Sequence, residues 1–286
     1  MFRKLLKHDM KAVGRLWWLM AITVLGASVI GSLTLRFILG YADSMEEDGL
    51  MGFVVVAAYL LVMLCFVVLV SSVAVTELLS WWRYYKNLFT DEGYLTFTLP
   101  ASRKQILLAK TVNSFIWTGL HFLLWLVCAV IIMLIAPPAE GLFSSVAFEW
   151  VARMIADAWS AVGAWLILYA VLALLLFAMM AVFGILLVFL CITIGSVVAK
   201  KVKLLVAIAV YYGVSMVLSF VVQIFGVIGL LVMAEGMATL LADATVVQGH
   251  TVIMLILMIA CTAVAAAVSI IYFVNLHVIE RRLNLM

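Results

Sequence analysis

Charge is what this sequence has least of. Asp, Glu, Lys and Arg together make up 11% of its 286 residues, against about 25% in soluble globular domains. With 69% apolar residues and a mean hydropathy of +1.32, water could not hold the surface of such a chain, so the sequence reads as an integral membrane protein. Proline is also scarce, with three in the whole chain; long helices can run unbroken. No stretch alternates apolar and polar residues in the manner of an outer-membrane barrel. The four cysteines (Cys65, Cys128, Cys191 and Cys261) sit in separate apolar runs with no CxxC spacing. They read as small buried apolar residues rather than as a disulfide or metal set.

Catalytic signatures are missing as well. There is no GxxxxGK[ST] to cradle a nucleotide phosphate and no HExxH zinc motif. His8, His121, His250 and His277 lie in different regions, not at ligand spacing. Ser114 and His121 are about 10 Å apart along one helix, too far for a nucleophile and its base. The span interiors lack the carboxylates of an ion-driven transporter. The sequence therefore predicts no enzyme, no cofactor and no metal, and nothing in it points to nucleic acid.

What is present is a set of six apolar segments, roughly 16–39, 51–75, 106–136, 159–194, 204–233 and 251–275, each long enough to cross a bilayer. The expected fold class is an all-α integral membrane protein with six transmembrane helices in one membrane domain. The fourth segment would be about 50 Å long as a helix, so it must tilt, bend near Gly184 or project. Residues 1–15 place Phe2, Leu5, Leu6 and Val13 at helical spacing among Arg3, Lys4, Lys7, Lys11 and Arg15, the pattern of a basic amphipathic helix in the membrane interface. It serves either as a positive-inside anchor or as a lever to a cytoplasmic partner. Of the 17 basic residues, all but Arg36 and Arg153 fall in the N-terminus, the 76–110 stretch, the 195–203 loop or the C-terminus. The positive-inside rule then puts both termini in the cytoplasm. Arg36 is expected to snorkel outward and meet Asp43 or Glu46. Glu149, Arg153 and Asp157 share a face of an expected interfacial helix, and residues 226–250 read as short re-entrant helices before the last span.

The longest polar interruption runs from Glu77 to Lys110. Trp81, Trp82, Tyr84 and Tyr85 extend the second span in the style of an aromatic belt. Thr90 is expected to cap a short helix with Asp91 and Glu92 in its first turn, and Gly93 to keep that helix short. Leu99-Pro100-Ala101-Ser102 reads as a turn, with Ser102 and Gln105 forming a capping box for the next helix. Leu88, Phe89, Tyr94, Leu95 and Phe97 are dense for a loop in water, the mark of a partner site.

The stretch KNLFTDEGYLTFTLPASRKQILLAK resembles the cytoplasmic loop of ABC-2-type permeases, the membrane subunits of bacterial ATP-binding-cassette exporters. The six-span layout and the amphipathic N-terminus extend the resemblance to the whole chain. It implies a permease fold with residues 76–105 as a cytoplasmic coupling loop, in which Phe89, Asp91, Glu92, Gly93 and Tyr94 meet a separate ATPase subunit and Leu99, Pro100 and Ser102 set the return angle. It further implies a second permease chain, identical or related, a bacterial plasma membrane, and export of an amphiphilic or apolar cargo. A non-transporting assembly or sensor subunit is the alternative. Within the spans, Asn113, Trp117, His121 and Trp125 share a stripe. Asn113, His121 and Gln223 are candidates to line a pathway or subunit interface, or simply to make a hydrogen bond between packed helices.

Overall fold

A computed structural model describes residues 2–41, 49–98, 100–137, 145–199, 201–242 and 246–282. The described elements are all helices: α1 (Phe2–Tyr41), α2 (Gly49–Phe89), α3 (Asp91–Thr98), α4 (Arg103–Ile135), α5 (Val146–Val162), α6 (Trp165–Val198), α7 (Lys203–Ala242) and α8 (Val246–Arg282). Six of them, all but α3 and α5, are long and apolar enough to cross a membrane, which marks a multi-pass membrane protein. At 40 and 41 residues, α1 and α2 are each about 60 Å long, twice the hydrocarbon thickness. Their polar ends therefore lie beyond any bilayer core they cross.

The chain forms two units. The N-terminal unit comprises residues 2–82 and 112–163, and the C-terminal unit residues 83–111 and 164–286. In the N-terminal unit, α1 presents Val13, Trp17, Ala21 and Val24 at helical spacing to Trp117, Leu124 and Cys128 of α4. The rings of Trp17 and Trp117 lie 5.2 Å apart. Gly14 lets the Trp117 ring come close, since a Cβ there would stand 3.2 Å from it. At the far end, Arg36 donates to the carbonyl of Ile135 at 3.3 Å, capping the end of α4 with a cation; Asp43 and Glu46 lie outside the described residues.

In the C-terminal unit, α6 packs against both α7 and α8. Its second half, Ile185 to Gly195, is the most densely buried stretch of the helix. A Cβ on Gly195 would lie 2.6 Å from the Ala207 nitrogen, so α6 and α7 meet backbone to backbone there. The four cysteines are free and buried.

Three expectations change. Residues 159–162 belong to α5, because Gly163 turns the chain with a φ of 61° and α6 starts at Trp165. A left-handed residue ends α5 where glycine bears it without strain, and α6 then continues as one helix through Gly184. The described part of the 226–250 stretch, residues 226–242 and 246–250, does not form short helices of its own, and residues 243–245 lie outside the described residues. They are the end of α7, which continues to Ala242, and the start of α8 at Val246; with no proline between Lys203 and Ala242, nothing interrupts α7 before its end. Finally, residues 2–15 are not set off from the first span but form the start of α1. The expected face of α5 does carry an ion pair, Arg153 to Glu149 at 3.6 Å.

Candidate docking elbow

The polar interruption between the second and third long helices folds as an elbow within the C-terminal unit. Helix α2 runs on past the aromatic belt to Phe89, α3 comes after Thr90, and α4 begins at Arg103. Tyr84 and Leu88 turn inward and are almost fully buried. The Tyr84 ring stacks on Phe189 of α6, and its hydroxyl lies 2.8 Å from the Thr193 hydroxyl. Thr193 has one proton and two acceptors beside it, the Phe189 carbonyl and Asn275 Oδ1 of α8, each at 2.8 Å. Tyr84 must therefore be the donor to Thr193. The result is a buried polar junction of three helices.

Two cations close helix ends around the elbow. Lys203, the first residue of α7, donates to the Phe89 carbonyl at 3.0 Å. Arg103, the first residue of α4, donates to the carbonyls of Ile279 and Glu280 at 2.7 and 2.6 Å. Both place positive charge on carbonyls that a helix C-terminus leaves unpaired. The Arg103 guanidinium also stands 5.7 Å from the centre of the Phe97 ring, a cation–π distance.

The corner between α2 and α3 is tight. A Cβ on Gly93 would fall 2.5 Å from the Leu88 carbonyl oxygen, so only glycine fits. The Gly93 N–H donates to the Thr90 carbonyl at 2.8 Å. Thr90 does not cap α3 with its side chain as expected: its hydroxyl donates backwards to the Lys86 carbonyl and closes α2 instead. Lys86 pairs with Glu92 at 2.9 Å. With its amide oriented to suit both neighbours, Asn87 donates to Glu92 at 3.2 Å and accepts from Lys110 at 2.7 Å. The expected cap at Ser102 forms, its Oγ accepting from the Gln105 N–H at 3.3 Å.

The candidate contact residues thus divide. Phe89 lies inside, against Tyr84 and Tyr85, and Gly93 is buried in the corner. Asp91 and Glu92 are exposed, and Tyr94 and Leu95 are 65% and 66% exposed. Of the five candidates and the neighbouring Leu95, these four are exposed, an acidic turn and then an aromatic–aliphatic pair. Leu99 lies outside the described residues.

His121 and Asn113 sit in the N-terminal unit, both buried on α4. His121 reaches α2 through both ring nitrogens, Nε2 to Ser72 at 3.2 Å and Nδ1 to Thr76 at 3.1 Å. Ser72 gives its own proton to the Leu69 carbonyl at 2.6 Å, so Nε2 carries the hydrogen and Nδ1 accepts from Thr76. Nearby, Thr118 donates to Glu77 at 2.8 Å. Gln223 belongs to the other unit, is exposed on α7, and donates to Ser219 of its own helix at 3.1 Å. Asn113 and His121 are on the same helix but about 12 Å apart along it, so the structure brings none of the three together.

Sequence reasoning missed Ser72, Thr76, Thr193 and Asn275, and it gave Tyr84 to an aromatic belt although the side chain is fully buried. The spacing of Ser72, Thr76 and Ser80 four apart was the one available signal: all three are buried along one face of α2. Among the described residues no cluster of His, Cys, Asp or Glu is placed to hold a metal ion. Comparison with family models, with curated proteins and with solved structures gives no match.

Proposed function

We propose that the chain is the membrane permease subunit of an ABC-2-type exporter, moving an amphiphilic or apolar cargo with ATP hydrolysed by a separate subunit. The observation that carries this reading is the mounting of α3. It exposes Asp91, Glu92, Tyr94 and Leu95, while the helices on either side of it are tied to α6, α7 and α8 through Tyr84, Lys203 and Arg103. A force on α3 passes to membrane-length helices instead of being absorbed in a soft loop. Such stiffness is what a coupling element between an ATPase and a pathway requires. Exposed apolar side chains rimmed by charge are suited to a protein partner.

On this reading both termini are cytoplasmic, two permease chains face each other across the pathway in a bacterial plasma membrane, and an ATPase seats on each elbow. The chain hydrolyses nothing itself. Site-specific photo-crosslinking tests the docking. A photoreactive residue in place of Tyr94 is expected to capture an ATP-hydrolysing subunit in native membranes, and one in place of Phe89 is not. Capture from Phe89 but not Tyr94, or of no such subunit from either, would refute the docking geometry.

A further inference from the structure

The first four turns of α1 carry a one-sided charge pattern. Arg3, Lys4, Lys7, His8, Lys11 and Arg15 are all exposed. At 100° per residue, Arg3, Lys7, Lys11 and Arg15 succeed one another around the helix within about 120°, and Lys4 and His8 fall on the same flank. The opposite side is buried through Val13 and Trp17. Asp9, the only acidic residue before position 43, turns to that inner side and is 4% exposed. The outer face is therefore purely cationic.

The next residues along the same face identify the occupant. Trp18, Leu19 and Ile22 continue the basic stripe directly, and they are 63%, 59% and 64% exposed. They open a segment apolar enough to lie in hydrocarbon. One continuous outward face thus changes from basic, through an interfacial tryptophan, to apolar within two turns, as a helix surface does on passing from headgroups into acyl chains. A protein partner covering the cations would also have to cover Trp18 and Leu19 at the bilayer edge. We infer that this strip is a binding surface for anionic phospholipid headgroups, with Lys11 and Arg15 at phosphate depth and Arg3, Lys4 and Lys7 within about a Debye length of the charged leaflet. The inference does not depend on the exporter reading, and it assigns the basic face to lipid where a lever helix would give it to a protein.

Purified full-length chain in mild detergent tests it, with lipid binding measured by thermal stability and native mass spectrometry on titration with phosphatidylglycerol or phosphatidylcholine. Wild type is expected to gain stability from phosphatidylglycerol well beyond phosphatidylcholine, and to lose that excess in high salt. The triple variant Lys7→Gln/Lys11→Gln/Arg15→Gln is expected to bind phosphatidylglycerol about 100-fold more weakly, near fivefold per cation, with its phosphatidylcholine response unchanged. The all-arginine variant Lys7→Arg/Lys11→Arg retains wild-type binding. Equal phosphatidylglycerol affinity in wild type and triple variant overturns the inference. So does a triple variant that keeps its lipid response but loses a bound soluble protein.

Discussion

Tyr84 lies flat on Phe189, with ring centroids 3.8 Å apart and planes within 3°, while its hydroxyl enters the Thr193–Asn275 pair. One side chain near the end of α2 thereby holds α6 by its face and the α6–α8 junction by its edge. The two contacts separate by substitution. Tyr84→Phe keeps the stack and removes one interhelical hydrogen bond, a loss of about 1 kcal/mol. Phe189→Ala removes the stacked ring and leaves a cavity, at about 3 kcal/mol. Thermal denaturation in one detergent is expected to rank them in that order.

Gly93 is fixed by the Leu88 carbonyl. The crowding atom is backbone and cannot swing away, so Gly93→Ala is expected to cost about 1–3 kcal/mol and to displace Tyr94 and Leu95. Gly119→Ala has nothing within 4 Å of the new methyl and serves as the neutral control. Partner binding measured in both variants should fall only in the first.

Arg103 connects the start of α4 to the end of α8 by two carbonyl contacts. Arg103→Gln removes the charge from that helix terminus, with an expected loss of about 1–2 kcal/mol. Hydrogen exchange is expected to rise at the last turn of α8, around Ile279 and Glu280, before it rises elsewhere.

His121 gives an asymmetric prediction. Ser72 and Thr76 each have a backbone carbonyl in reach, at Leu69 and Ser72, so both hydroxyls stay satisfied when the ring goes. Among the described residues the Nε2–H has only Ser72. Ser72→Ala therefore strands a buried donor, at about 1–3 kcal/mol, and is expected to destabilise the chain more than the volume-conserving His121→Leu does through lost hydrogen bonding. Paired melting curves for the two variants check this order.

Much of the helical content was legible because apolar run length and the near absence of proline decide it. The elbow was legible in outline: the cap at Ser102 and the acidic first turn of α3 obey local rules, whereas Gly93, expected to keep α3 short, lies within it and the helix runs on to Thr98. The inward turn of Phe89 was not, because an aromatic at a helix end reads the same whether it faces a partner or its own chain; Tyr84 and Tyr85 decide it. The Tyr84–Thr193–Asn275 junction joins residues 109 and 82 positions apart, a pairing no spacing rule reaches. The break at Gly163 was missed because the apolar run continues across it and only the φ value marks the end of α5.

The most direct test of the central claim is recovery of ATPase activity with the chain from native membranes in mild detergent, comparing wild type with Tyr94→Ala/Leu95→Ala. Both substituted side chains are exposed, so the variant is expected to fold and melt as wild type does. The account predicts stoichiometric recovery of an ATP-hydrolysing subunit with wild type and at least a tenfold loss with the variant, as removing two central interface anchors costs on the order of 2 kcal/mol or more. Equal recovery with both, or none with folded wild type, would contradict it.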